Sequence, residues 1–397
     1  MKQVKNEVEG AGTSGSPDVL DVLEGLIRCP SENPPGREEE AAHFIAAVLQ
    51  ENSIAAEVIP VVPGRPNVVA RLKGQSAGRT LLFNGHLDTV PGGAGWSSDP
   101  FGPVRRDGKL YGRGASDMKS GVAAMACAAI KLKRMGCPFP GELVLFFNCD
   151  EEGPNTGMKW FLTSGITMDY AVIGEPTSLD ICTGHRGVGR YRLQTFGVAG
   201  HTCFVRNPEN AIYRMLPFVQ SLQELGRSLR QRSHEFLGSA LLTVSQITGG
   251  TAPNVVPDSC LIEIDRRTVP GETRESVLDE LRERIETVSR STDVRYALEN
   301  YLFLPATHLD HDHPLVEVMR HSIAKARSGK AEVKAFEATC EAPFFSVDLG
   351  VPTLIVGPGS LAQAHVTDEY VLEDEVTAAV DIYVDFVQRL LGEVSQP

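Results

Sequence analysis

The stretch Thr80-Leu-Leu-Phe-Asn-Gly-His-Leu-Asp-Thr-Val-Pro91 opens as an uninterrupted apolar run and closes in a polar cluster. An apolar run this short, without alternation and bounded by Gly or Pro, reads as a strand buried on both faces, as in parallel sheets. Four more runs share that texture: Asn67 to Leu72, Leu143 to Phe147, Ala171 to Ile173 and Thr353 to Val356. Helix-period spacing separates them. One such stretch begins at Val19 behind Pro17 and Asp18, a second runs from about Arg37 to Leu49, and the clearest runs from Met118 to Met135. Strands alternating with helices predict an α/β fold built on a mostly parallel sheet.

From about His185 to Tyr296 the texture changes. Tyr191 to Phe196 reads as a strand and Ala211 to Leu229 as a helix; Leu241 to Ile247 and Ser259 to Arg267 alternate like half-exposed strands, and Val277 to Val288 is helical again. This pattern predicts a small α+β insertion, a four-stranded sheet flanked by two helices, over residues 184–297. The remaining residues, 1–183 and 298–397, form the larger domain on this reading. At 397 residues, two domains are the expected division.

The polar clusters behind the buried runs carry the chemistry. Gly85-His86-Leu87-Asp88 follows the first, and Asp150-Glu151-Glu152-Gly153 follows Leu143 to Phe147. Gly174-Glu175-Pro176 follows Ala171 to Ile173, and Gln363-Ala364-His365 comes after Thr353 to Val356. Asp117 stands at the mouth of the long helix, where by itself it also reads as an N-cap. In open α/β sheets ligands bind beyond the carboxyl ends of the strands. Two histidines and three carboxylates converging there, without thiolates, suit zinc, cobalt or manganese. Five ligands exceed the need of one tetrahedral ion, so two ions sharing one bridging carboxylate is the economical arrangement.

With these clusters in place, the sequence closely resembles the zinc metallopeptidase family of acetylornithine deacetylase, succinyl-diaminopimelate desuccinylase, aminoacylase and bacterial glutamate carboxypeptidase. The matching segments are GHLDTVP at 85–91, GRGASDMKSG at 112–121, DEEG at 150–153, GEPT at 174–177, GHT at 200–202 and QAHVTDE at 363–369. The resemblance implies two Zn2+ per chain, with Co2+ or Mn2+ able to substitute. His86 and Glu175 are then expected on one ion, His365 and Glu152 on the other, with Asp117 bridging. It further implies that Asp88 holds the free ring nitrogen of His86 and that Glu151 is the general base. The insertion is expected to pair two subunits, with His201 reaching the partner's active site as an oxyanion donor. Asn254 and Arg267 match positions that bind substrate.

The expected activity is release of an acyl group from an N-acyl amino acid. A zinc exopeptidase acting on dipeptides or a C-terminal residue is the alternative, and a non-catalytic binding protein a remote third. Composition agrees. A formal charge of −13 argues against nucleic acid or an anionic membrane as partner. No window approaches 18 apolar residues, the N-terminal run lacks an apolar centre, and eight cysteines contain no Cys-x-x-Cys pair, so a cytoplasmic protein is expected. Three other features carry no function. The string Gly10-x-Gly12-x-x-Gly15 follows no strand. The tract His308 to His313 precedes Pro314, with Asp312 expected as N-cap. His234-Glu235 lacks a second helical histidine.

Overall fold

A computed structural model describes residues 17–204, 209–327 and 331–393. The N-terminal run and its glycine string lie outside them. All five apolar runs become strands of one nine-stranded sheet: Arg65–Lys73, Thr80–His86, Glu142–Asn148, Tyr170–Ile173 and Thr353–Ile355. The last four are mutually parallel neighbours, in the order 142–148, 80–86, 170–173, 353–355. Arg65–Lys73 joins them antiparallel, as the second arm of a hairpin whose first arm, Ala56–Val62, forms the edge.

The strands are apolar throughout because each face has its own core. Leu81, Phe83, Leu143, Leu145 and Phe147 point to one side, Leu82, Val144 and Phe146 to the other. The first side is covered by the helices Val19–Ile27, Glu39–Glu51, Lys119–Arg134, Pro314–Ala326 and Glu373–Glu393. The second packs on the short helix Thr156–Phe161 and the π-helical turn Phe344–Asp348. Each fully buried aliphatic or aromatic side chain contributes about 1.5–3 kcal/mol relative to exposure.

The insertion holds a separate core. Its sheet has the order 241–249, 259–268, 187–196, 296–304, all antiparallel, and the helices Ala211–Leu229 and Arg274–Thr292 cover one face. The fourth strand, Tyr296–Leu304, carries this sheet past residue 297, where the sequence texture suggests that it ends. Its half-exposed residues lack a continuous apolar run. Along Ser259–Thr268 the burial alternates strictly: Cys260, Ile262 and Ile264 enter the core, while Glu263, Asp265 and Arg267 share the open face.

Two expected helix caps are replaced. Asp117 does not cap the helix Lys119–Arg134, whose first residue follows Met118 with no side-chain cap. His313, rather than Asp312, caps Pro314–Ala326 by accepting from the Leu315 amide at 3.1 Å.

Helix and sheet approach most closely at Gly121, where an added Cβ would lie 2.1 Å from the main-chain oxygen of Gly174. Alanine ordinarily gains about 1 kcal/mol over glycine inside a helix. Here the obstacle is backbone that cannot rotate away, and overpacking typically costs about 1–3 kcal/mol or more. Gly121→Ala is therefore expected to lower the unfolding free energy by about 1–2 kcal/mol in urea denaturation. A midpoint at or above that of the unaltered chain would refute this account.

Candidate active site at the carboxyl edge of the sheet

The four parallel strands all end at one edge, and the polar clusters follow there. His86 is the last residue of its strand and is 1% exposed. Its Nδ1 donates to the main-chain oxygen of Asp88 at 2.9 Å, which leaves Nε2 as the nitrogen free to ligate. That Nε2 lies 3.1 Å from Asp117 Oδ1 and 3.8 Å from Glu175 Oε1. On the opposite side, His365 Nε2 lies 3.4 Å from Asp117 Oδ2 and 2.7 Å from Glu152 Oε1. Asp117 thus turns one oxygen to each histidine. All five residues predicted as ligands come together, in two groups that share Asp117.

The carboxylate of Asp88 does something other than the sequence suggests. It stands 3.6 Å from His86 Nδ1, and the main-chain oxygen of the same residue takes the hydrogen bond instead. Its Oδ1 accepts from the Glu151 amide at 3.1 Å, and Oδ2 from the Glu152 amide at 3.0 Å. Asp88 therefore sets the turn that aims the adjacent glutamates in different directions. Asn33 supports it from below, donating to Asp88 Oδ2 at 2.8 Å and to Asp150 Oδ1 at 3.0 Å. Arg65 lies between Asp150, at 2.7 Å, and Glu38. Asp150 and His365 both have positive φ, 67° and 62°, a backbone state that costs of order 1–3 kcal/mol and persists only where surroundings enforce it.

Glu369 is a second support that sequence reasoning missed, although it ends the quoted QAHVTDE segment. Its Oε1 accepts from the amides of Ser116 and Asp117, at 2.8 and 3.0 Å. Its Oε2 accepts from the Gly114 amide at 3.1 Å and from Arg113 Nη1 at 2.7 Å. One carboxylate so clamps the whole loop that presents Asp117.

The site is short of positive charge. Burial pushes the Glu151 carboxyl well above the usual range, and the negative charge of Glu341 adds to it. Burial does the same to Glu175, reinforced by Asp117. His365 is pushed up to about 10 by its hydrogen bonds to Asp117 and Glu152. For His86, burial favours the neutral ring, but the Asp117 hydrogen bond and the surrounding carboxylates outweigh it and raise its pKa. His86, Asp117 and Glu175 are held out of water while Glu151, Glu152 and His365 open on solvent, and together they form a donor set suited to divalent cations. The acidic groups able to hold an ion, among the described residues, are His86–Asp117–Glu152 and Glu151–Glu175–Glu341. The His308 tract is not one of them: His308 packs on His234 and His311 on Phe236.

An open cleft of about 630 Å³ lies above these residues, lined on one wall by Glu151, Glu152 and His365. The facing wall is the open face of the inserted sheet, with Arg190, Asp265 and Arg267; Arg267 Nε donates to Asp265 at 2.8 Å. His201 and Asn254 do not line this cleft. They sit side by side on an exposed part of the insertion, where Gly200–His201 pairs with Val255–Val256.

Comparison with known proteins agrees with this architecture. The chain is 32% identical over 401 aligned positions to a succinyl-diaminopimelate desuccinylase of Gluconacetobacter diazotrophicus, covering 96% of this chain and 100% of that one. It is 30% identical to an acetylornithine deacetylase of Vibrio atlanticus, over 94% of this chain and 98% of the relative. In fold it is similar to YXEP of Bacillus subtilis, a dinuclear metal-binding peptidase, with a TM-score of 0.71 at 17% identity over 94% and 98% of the two chains. The sequence pattern of peptidase family M20/M25/M40 matches residues 82–389, and this chain belongs to that family.

Proposed function

We propose that the protein is a two-metal amidohydrolase that releases the acyl group from an N-acyl amino acid. The observation that carries this reading is Asp117 between two histidines, each with its own glutamate partner. His86, Glu175 and Asp117 would hold one ion, and His365, Glu152 and Asp117 the other. Zinc fits the donor set best, and cobalt or manganese can take its place. When bound, such a pair polarises the amide carbonyl and makes a neighbouring water acidic enough to attack near neutral pH. The similarity to a desuccinylase and a deacetylase over nearly whole chains favours a deacylase over an exopeptidase.

The protein's own residues manage the protons. Glu151, with its raised pKa, takes a proton from the attacking water and passes it to the leaving nitrogen, which must leave as an amine. Asp88 keeps Glu151 and Glu152 at fixed angles through their amides, so that one serves the proton and the other an ion. On this assignment, Glu151→Ala lowers kcat by about 10²–10⁴-fold with metal content nearly intact. Glu152→Ala instead loses one ion by elemental analysis. The reverse pattern would exchange the two roles.

The inserted unit, about residues 184–304, is on this reading a lid and dimerisation domain. Exposed Val198, Tyr213, Leu216 and Ile247 support burial against a second copy, and Leu241–Gly249 is an unpaired sheet edge. His201 and Asn254, absent from the cleft of their own chain, would then act in the partner's. Loss of one oxyanion donor costs about 10²–10³-fold in hydrolases. His201→Ala is expected to lose about that much. After subunit exchange with inactive Glu151→Ala, activity should return, because one site of each mixed dimer keeps both groups. No recovery in a confirmed mixed dimer would refute the action of His201 across the interface.

Arg267 faces the cleft from the opposite wall and is well placed to grip a carboxylate next to the scissile amide through two parallel hydrogen bonds. Its present partner, Asp265, occupies Nε. Substrates whose carboxylate is amidated should lose most of their kcat/KM, and Arg267→Ala should narrow the gap between acid and amide. Equal turnover of an N-acyl amino acid and its amide by the unaltered enzyme would reduce Arg267 to a partner of Asp265.

A further inference from the structure

Glu341 has no place in the scheme above. It lies in Thr339-Cys340-Glu341-Ala342, just before the π-helical turn, and is 0% exposed. Neither of its carboxylate oxygens makes a hydrogen bond of full geometry; the donors nearest to it are the Asn148 side chain and its own amide. A carboxylate out of water without a donor is among the costliest arrangements a protein interior can hold, unless a cation or proton meets it. One oxygen each of Glu151, Glu175 and Glu341 lie within 4.8 Å of one another. That spacing suits groups sharing an ion, given ligand distances of about 2.0–2.2 Å.

A second observation points the same way. Asn84 donates to Asn148 Oδ1 at 2.7 Å, and the Asn148 Nδ2 beside Glu341 also lacks a partner in hydrogen-bond geometry. All three side chains are 0% exposed. Asn84, two residues before the end of its strand, and Asn148, the last of the adjacent strand, stand just ahead of the clusters that carry His86 and Glu151. A buried amide and a buried carboxylate meet there without a hydrogen bond of full geometry, on the side of the centre where Glu175 stands.

We infer that Glu341 is a sixth protein ligand of the metal centre, binding the ion that His86 and Glu175 hold. The inference rests on the two-ion reading above. It explains why an acidic side chain is placed out of water with no well-formed hydrogen bond. A carboxylate kept neutral by a proton, with no part in binding metal, is the competing explanation.

The test is binding of Zn2+ alone to the full-length, metal-free protein, followed by calorimetry or chelator competition. The unaltered chain should take up two ions. Glu341→Gln, nearly the same in shape, should bind one of them at least about tenfold more weakly, since even indirect supports of a metal site carry that much affinity. Its metal-free form should melt no lower than the unaltered chain, because a neutral amide replaces an unpaired charge, and it should gain less on zinc addition. Zinc binding by Glu341→Gln at unaltered affinity for both ions overturns the inference, as does a lowered metal-free melting temperature with the full zinc-dependent gain. Should Glu341→Gln fail to fold, Glu341→Asp carries the test. With charge kept and reach shortened by one methylene, it should weaken the same single ion, and unchanged affinity for both ions overturns the inference. No zinc uptake by the unaltered chain would instead remove the two-ion reading itself.

Discussion

Asp117 faces His86 with one oxygen and His365 with the other, and most of the surrounding structure serves to keep it there. His86 ends a strand and His365 stands on a loop after the 3-10 turn Leu361–Gln363, 279 residues further along the chain (365 − 86). Asp117 itself sits on a loop that no regular element holds. Glu369 replaces that missing support by accepting four hydrogen bonds from the loop and from Arg113. The close contacts at Gly121 and Gly357, both against the Gly174 oxygen, set the helix behind the loop and the strand leading to His365 at fixed depth.

The same economy governs the glutamates. Adjacent carboxylates on a turn would ordinarily swing in solvent. Here Asp88 holds both amides, Asn33 and Arg65 hold the layer below, and Asp150 is locked in a left-handed conformation between them. Side chains with the same chemistry therefore acquire different environments, the condition for the different roles proposed for them. The electrostatic cost is large. Several carboxylates are gathered partly or wholly out of water, and those of Glu151 and Glu175 are driven upward by burial and by neighbouring carboxylates. Divalent cations would relieve that cost, so the proposed metal centre fits the fold's own charge arrangement.

The inserted sheet solves a different problem. A centre of metal ligands alone treats all amides alike, so selection must come from another surface. One face of the insertion is closed by its helices, and the other turns Arg190, Asp265 and Arg267 to the cleft. The strict alternation of Ser259–Thr268 makes that division possible: shifting the register by one residue would bury Arg267 and expose Ile264.

Much of this was legible in the chain. Five apolar runs of the same texture marked the strands of the central sheet, because burial on both faces removes alternation. The polar residues after those runs marked the site, because a parallel sheet brings its carboxyl ends to one edge. Less was legible where pairing is long-range or half-exposed. The edge strand Ala56–Val62 and the last inserted strand Tyr296–Leu304 carry mixed patterns that no local rule separates from loop. Which oxygen of Asp88 meets His86, and why Asp88 instead grips the next turn, depends on strands that are neighbours only in space. The same is true of Glu369 and Glu341, which in sequence are ordinary acidic residues. The sequence by itself determined the order of strands and ligands, through hydrophobicity and spacing; only the tertiary structure decided which buried charges face one another, because desolvation and pairing depend on distance through space.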